Sequence, residues 1–183
     1  MKELKKDADG IVQDGNPVLR TQAKEVALKD INSPEIKKVI SRMIELLATQ
    51  DDGVAIAAPQ IGVALRIFVV AGAILKLADP KYKGEETDII FINPVITKLS
   101  QEKHEVEEGC LSVRWKYGKI LRSKKATVKA YNEFGEPFER GASGLLAQVF
   151  QHETDHLNGV LFIDSAYEVK DIPPEEAKTN DAK

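Results

Sequence analysis

The sequence predicts a single α+β domain. Its length of 183 residues suits one domain, and no Pro-, Gly- or Ser-rich linker divides it into two cores. A β-rich middle is bounded by two amphipathic helical segments. The hydrophobic fraction of 43% is sufficient for a packed core.

The first helix is predicted over residues 34–49. Ser33 can accept the N-cap hydrogen bond, and Pro34 suits the first helical turn. The chain before this helix has few periodic features, so we expect it to be irregular. Within the helix, apolar residues recur at spacings of three and four: Ile36, Val39, Ile40, Met43, Leu46 and Leu47.

Three strands are predicted in the middle of the chain, over residues 65–70, 89–92 and 126–131. The first two are β-branched and aromatic runs, while the third alternates between apolar and polar residues. Asn132 and Gly135 follow the third strand and favour a hairpin turn, with Gly135 at positive φ.

A second helix is expected to start near Ala142 or Ser143 and to stop at Asn158 and Gly159, a pair that favours a left-handed helix end. After residue 168 the chain has too little apolar content to pack by itself. We therefore expect one catalytic domain over residues 1–168 and a polar, disordered tail over 169–183. The apolar stripe of this helix is Leu145, Leu146, Val149, Phe150 and Leu157.

The charge balance gives no reason to expect a polyanion as the main partner. There are 26 Lys and Arg residues against 29 Asp and Glu residues, a net charge of −3, so DNA is not expected. No apolar run approaches the ~18 residues of a membrane span, so no membrane partner is expected. The lone Cys110 excludes an intramolecular disulfide, and the lysine-rich start lacks a secretory signal, so we expect a cytoplasmic protein.

The most specific local pattern is H-E-x-x-H at residues 152–156, inside the second predicted helix. Residues four apart lie about 40° from one another around a helix axis, so His152 and His156 face one side and can bind one cation. Glu153 can reach a water on that cation as a general base. The pattern therefore predicts a catalytic metal site.

A catalytic metal site usually has three protein ligands, so a third must be found outside this pattern. Phe162 stands where one family of H-E-x-x-H peptidases has its third histidine, which excludes that arrangement. Glu175 and Glu176 lie at a suitable distance but follow two prolines in the polar tail. Cys110 is a strong ligand for a borderline divalent ion, although a lone cysteine is more often a small buried hydrophobe.

Three segments together resemble the peptide deformylase family. They are G-V-A-I-A-A-P-Q at residues 53–60, E-G-C-L-S at 108–112 and H-E-T-D-H at 152–156, in the family's order and spacing. The likeness runs from about residue 11 to residue 164. It implies antiparallel β-sheets packed around a central metal-binding helix, and a hydrolase that removes the formyl group from N-formylmethionyl nascent peptides.

The resemblance implies a role for several motif residues. Glu153 would be the general acid and base, and Gln60 with the backbone N–H of Leu111 would form the oxyanion hole. The metal would lower the pKa of its water, so that hydroxide attacks the formyl carbon. The ion would be Fe(II) in the cell, with zinc, nickel or cobalt able to take its place. Its ligands would be Cys110, His152 and His156.

The resemblance also implies how the substrate and the metal ligands are supported. Glu108 and Arg122 would pair behind the metal ligands. The partner would be the N-formylmethionyl peptide. Contact with the ribosome near its exit tunnel is left open, because many bacterial members end in a long helix, whereas the tail of this chain is short and mixed in charge. The expected peptide-binding residues are Val54, Ala55, Val106, Gly109, Leu145 and Val149.

The chain departs from the family pattern at two positions. Ala55 stands where the family usually has glycine, and its methyl group could narrow the approach of the peptide backbone. Arg114 stands where most members have proline, followed by Trp115. Two other functions are alternatives: a binding protein without turnover, and a metallopeptidase with a glutamate as third ligand. The presence of Glu153 argues against the first, because binding alone needs no general base.

Overall fold

The computed structural model describes residues 10–78 and 83–173. Its helices within these ranges are α1 (Pro34–Ala48), α2 (Ile74–Ala78) and α3 (Gly144–Leu157). The strands are β1 (Ala55–Ala57), β2 (Ile67–Val70), β3 (Ile89–Leu99), β4 (Lys103–Gly109), β5 (Lys116–Ser123), β6 (Lys125–Tyr131), β7 (Pro137–Ser143) and β8 (Tyr167–Asp171). Short 3-10 helices cover Pro17–Arg20, Leu28–Asp30, Ala58–Ile61 and Phe162–Asp164.

The strands form two antiparallel sheets. The larger sheet has the order β1-β2-β3-β6-β7, and the smaller one has the order β4-β5-β8. Helix α3 packs on β1, β3, β6 and β7 of the larger sheet and also contacts β5 of the smaller one. The predicted α+β domain, with antiparallel sheets around a central helix, is therefore confirmed.

The larger sheet separates two apolar clusters. On one face, Phe150 of α3 packs against Phe91, with ring centroids 5.2 Å apart, and Phe91 stacks on Phe68 at 4.4 Å. On the other face, α1 buries Met43 together with Ile67 of β2. Strands β1 and β2 are buried at every residue, which explains the uninterrupted apolar run in the sequence.

The two predicted long helices are both confirmed. Helix α1 ends one residue before the predicted limit, and the Ser33 hydroxyl accepts a hydrogen bond from the Ile36 N–H at 3.3 Å. Helix α3 is followed by Gly159 at a φ of 75°. A Cβ on Gly159 would lie 2.8 Å from the carbonyl group of Arg20, so both its conformation and its surroundings require glycine.

The strands were predicted less completely than the helices. Strand β3 runs seven residues beyond the predicted end at Ile92, and β4 and β5 were not predicted. Strand β4 is rich in charged residues, and only Glu108 of its seven is fully buried. Its apolar alternation is therefore too weak to predict a strand. The strand is formed by its pairing with β5.

Strand β8 crosses the boundary that the sequence analysis draws at residue 168. Its residues are all exposed, so they carry no apolar alternation. They are held by pairing with β5, where the Lys116 ammonium lies 2.8 Å from the Asp171 carboxylate. The expectation of disorder is therefore wrong for residues 169–171. The rest of the expected tail, from residue 174 on, lies outside the described residues.

Within the described ranges, no helix has both the length and the apolar character needed to cross a membrane.

Candidate active site

The H-E-x-x-H pattern lies on α3, as predicted. The imidazole rings of His152 and His156 are neighbours, with centroids 4.9 Å apart. Glu153 and His156 are buried, and His152 is nearly so. The helix therefore presents two imidazoles on one side and keeps the acid beside them away from bulk water.

Cys110 follows the end of β4 and completes a cluster with the two histidines. Its Sγ lies 3.2 Å from the Nε2 of His156. The ligand atoms of Cys110, His152 and His156 all lie within 4.8 Å of one another, and no other such cluster occurs among the described residues. His104 belongs to β4 but not to this cluster. Glu175 and Glu176 lie outside the described residues.

The neighbouring strand requires glycine at position 109. A Cβ at this position would lie 2.7 Å from the ring of Tyr117, directly opposite on β5. The ring therefore occupies the space of a side chain at Gly109, and any larger residue would push apart the strands next to Cys110.

The expected pair behind the metal ligands is present. Both oxygens of Glu108 accept hydrogen bonds from Arg122, at 2.7 and 2.9 Å, and the same carboxylate lies 2.9 Å from the Nδ1 of His152. This contact leaves the Nε2 of His152 for the cluster. Arg122 also donates to Asp155 of α3 at 2.6 Å. Sequence reasoning missed Asp155, because its partner on β5 is 33 residues away.

The electrostatics of the site are governed by burial and by these contacts. Burial acts to raise the pKa of Glu108, but the hydrogen bonds from Arg122 and His152 outweigh it and lower the pKa to about 2. Burial raises the pKa of Glu153 to about 7. The pKa of His156 is well below its ordinary value because of burial. For His152, hydrogen bonds to Cys110 and Glu108 outweigh burial, and its pKa is raised.

The residues expected at the oxyanion hole lie next to the cluster. The side-chain oxygen of Gln60 accepts a hydrogen bond from the Ala57 N–H at 2.7 Å, and its Nε2 lies 3.7 Å from the Cys110 Sγ. The carbonyl of Leu111 accepts a hydrogen bond from Gln13 at 3.0 Å, which fixes the backbone after Cys110. Gln60 and Leu111 thus flank the sulfur from two different segments.

A pocket of about 230 Å³ opens over this cluster. Its apolar wall contains Val54 and Leu145, which are 37% and 38% exposed, together with the buried Val149. Ala55 and Gly109 also line it. Val106 is not among the described lining residues. It lies three residues before Gly109 on β4, about 10 Å back along the strand, and its expected role stays a prediction.

Phe162 occupies the position of the third histidine of one family of H-E-x-x-H peptidases. Its buried ring stacks on His152, with centroids 6.3 Å apart. The position is thus used to pack the His152 ring, while the Cys110 sulfur is the third donor atom of the cluster.

The cluster fits a divalent metal ion. One thiol and two imidazoles are the donors that borderline ions such as iron(II), zinc, nickel and cobalt accept. The buried Oε2 of Glu153 has no hydrogen-bond partner among the described residues and is available to a fourth group at the cluster. Three such donors with an acid beside them are typical of metal-dependent hydrolases.

A sequence model of the polypeptide deformylase family matches residues 8–171. This chain belongs to the peptide deformylase family. A peptide deformylase of Fusobacterium nucleatum is 43% identical over 153 residues, which are 82% of this chain and 79% of that protein. Another, from Carboxydothermus hydrogenoformans, is 42% identical over 156 residues, covering 85% of this chain and 91% of its own.

Solved structures give the same relationship. The crystal structure of the Thermotoga maritima peptide deformylase has a TM-score of 0.73 at 41% identity, covering 86% of this chain and 96% of that one. A class I type b peptide deformylase from Acinetobacter baumannii, solved with Met-Ala-Ser bound, has a TM-score of 0.75 at 32% identity, covering 85% and 96%. The protein is therefore an enzyme of this metal-dependent family.

Proposed function

We propose that this protein removes the N-terminal formyl group from N-formylmethionyl peptides, using one divalent metal ion held by Cys110, His152 and His156. The observation that carries the proposal is the convergence of these three ligand atoms within 4.8 Å. The cluster lies beneath a pocket that Glu153 and Gln60 also line. This arrangement supports the proposal, because a metal at the cluster would have a base and a hydrogen-bond donor beside it.

We assign the ion as Fe(II) in the cell, with zinc, nickel or cobalt able to replace it in purified protein. The sulfur and two nitrogens of the cluster suit all four ions. When bound, the ion supplies a Lewis acid that polarises the formyl oxygen and lowers the pKa of a water.

Glu153 acts as general base and then as general acid. Its carboxylate accepts a proton from the water that attacks the formyl carbon and passes this proton to the amine that leaves. Burial and the unpartnered Oε2 support this role, because the carboxylate is not engaged by another protein donor among the described residues.

Gln60 and the backbone N–H of Leu111 stabilise the oxygen that becomes negative. The hydrogen bond from Ala57 to the Gln60 side-chain oxygen turns the amide nitrogen of Gln60 towards Cys110. A donor fixed before the reaction stabilises the developing charge without reorganising.

The apolar wall of the pocket accepts the methionine side chain. Val54 and Leu145 are more than a third exposed although they are apolar, so a ligand that covers them gains hydrophobic free energy. The Acinetobacter baumannii relative was solved with Met-Ala-Ser bound, which supports formyl-Met-Ala-Ser as the test substrate.

The cytoplasm is the compartment we assign, because formylated nascent chains are the substrate. Contact with the ribosome near its exit tunnel stays part of the proposal. Such contact requires a local surface patch, since the net charge of the whole chain is only −3 and would not attract the ribosome by itself.

The test is an anaerobic assay of formate release from formyl-Met-Ala-Ser with iron- or nickel-loaded protein. The wild type is expected to release formate. The Glu153→Ala variant is expected to keep the metal and to lose activity by about 10²- to 10⁴-fold, as for loss of a general acid–base. No release by the wild type, or equal release by the variant, overturns the proposal.

The third ligand is tested by metal content. Cys110→Ala is expected to lose the metal, while a Glu175→Gln/Glu176→Gln double variant keeps it. The reverse result would assign the site to a metallopeptidase with a glutamate ligand.

A further inference from the structure

Arg114 links two segments that both line the pocket. It belongs to the turn that follows Cys110, and its side chain is only 16% exposed. One terminal nitrogen donates to both carboxylate oxygens of Asp52, at 3.1 and 3.2 Å, and the other donates to the side chain of Gln50. Both terminal nitrogens of the Arg114 guanidinium are thus hydrogen-bonded to protein side chains.

The two linked segments both line the pocket, and one of them leads into residues expected to bind the peptide. Gln50 and Asp52 lie in the turn between α1 and β1, which leads directly into Val54 and Ala55. This turn is compact, because a Cβ on Gly53 would lie 2.8 Å from the Cβ of Gln50. A shift of the turn would therefore be transmitted to the pocket wall.

The second of the two segments is strained at Trp115. This residue has a φ of 64°, a left-handed conformation that is unfavourable for a bulky side chain. The Arg114 guanidinium lies 5.1 Å from the centre of the indole ring, and the Trp115 carbonyl accepts a hydrogen bond from Ile172 at 2.7 Å. A strained backbone of this kind persists only where the surrounding contacts impose it. The indole ring of Trp115 is partially exposed and lines the pocket.

A proline at position 114, as the family pattern usually has, carries no donor and makes no such link. We propose that Arg114 is a positioning residue for peptide binding, which holds the turn at residues 50–53 and Trp115 in a fixed relative position in the pocket wall. It acts on the affinity for the peptide and not on the reacting atoms. This inference rests on the proposed function, since it takes a peptide as the ligand of the pocket.

The test combines turnover with binding. We expect Arg114→Ala and Asp52→Ala each to raise KM for formyl-Met-Ala-Ser by about fivefold, with kcat within about twofold of the wild type. The double variant should raise KM no more than the larger single effect, because both changes remove one shared interaction. Arg114→Lys keeps the charge but not the two-armed contact, and its KM should be intermediate.

Binding of the product Met-Ala-Ser to nickel-loaded protein, measured by calorimetry, separates this inference from the proposed function. If the wild type binds the peptide but releases no formate, the proposed function fails, while weaker binding by Arg114→Ala still supports the inference. If the wild type neither binds nor cleaves, both fail.

A merely structural role for Arg114 would have a different result. Loss of folded protein lowers the apparent kcat and the melting temperature and leaves KM and the dissociation constant unchanged, and this outcome overturns the inference. Arg42→Ala is the matched control, since it removes an arginine paired with Glu45 at 3.5 Å on α1. This variant should leave both KM and peptide binding unchanged.

Discussion

The Oε2 of Glu108 lies 2.9 Å from the Nδ1 of His152. The same carboxylate is held on its other side by Arg122, which is itself paired with Asp155. A carboxylate placed in this way fixes the orientation of the imidazole and raises its basicity as a metal ligand. The strand β4 therefore supports the metal site through Glu108 as well as supplying the adjoining Cys110.

Glu108→Gln tests this support. The amide keeps the shape but loses the charge, so we expect the metal affinity to fall by about 10- to 100-fold. The measurement is competition with a chromogenic chelator. Glu105→Gln, on the exposed side of the same strand, should leave the affinity unchanged. An unchanged affinity for Glu108→Gln would contradict the role assigned to this contact.

Gln60→Ala tests the hydrogen-bond donor beside Cys110. Removing one donor to a developing negative charge is expected to lower kcat by about 10²- to 10³-fold with a smaller change in KM. Steady-state kinetics measure the changes in kcat and KM separately. Metal content and circular dichroism check that the site and the fold are intact. A change confined to KM would show that Gln60 binds the peptide instead.

Ala55→Gly tests whether the methyl group faces the peptide or the core. Ala55 is 5% exposed and belongs to the apolar cluster that includes Phe68 and Val70. We therefore expect the free energy of unfolding to fall by about 1 kcal/mol, from lost packing and the flexibility of glycine in a strand. Urea denaturation measures this loss. A lower KM without a loss of stability would place the methyl group in the path of the peptide.

Asp164 gives a prediction of pH dependence away from the metal site. Its carboxylate accepts hydrogen bonds from Arg20 at 2.5 Å and from the Leu161 N–H at 2.9 Å. Burial acts to raise its pKa, but these two contacts outweigh it and lower the pKa. A pKa that is lower in the folded state contributes stability above the unfolded pKa of about 3.9, and this contribution is lost as the pH falls below it.

Asp164→Ala should therefore lower the free energy of unfolding at neutral pH, by about 0.5 kcal/mol because solvent screens this partly exposed pair, and by less at pH 3. Urea denaturation of the metal-free protein at both pH values measures the difference, because the cysteine and histidine ligands would release a metal at pH 3. Asp14→Ala removes the longer, 3.5 Å contact of the same arginine and should have a much smaller effect. If Asp164→Ala lost the same free energy of unfolding at both pH values, the charge of Asp164 would not be the cause.

The sequence predicts most directly the site residues that lie close together in the chain, since their relative positions follow from helix geometry. His152, Glu153 and His156 are set by the geometry of one helix, and α3 places them as the spacing required. Cys110 was found by its residue type and by the absence of another good ligand. Its position depends on β4, whose pairing with β5 has little apolar pattern to indicate it.

The remaining contacts depend on which segments meet in the folded chain. The link from Arg122 to Asp155 joins two elements 33 residues apart. The contact of Arg114 with Asp52 spans 62 residues. Strand β8 has no buried residue, so only its pairing with β5 identifies it as a strand. These features follow from tertiary contacts, which no short window of sequence contains.

The chain has one tryptophan, and Trp115 stands at the rim of the pocket with 39% of its surface exposed. All tryptophan emission from the protein therefore originates a short distance from the place where a ligand enters. A peptide that covers the indole changes its solvation, and hence the wavelength and intensity of that emission. The unmodified protein thus carries its own optical reporter, suited to following ligand entry by stopped flow without an added dye.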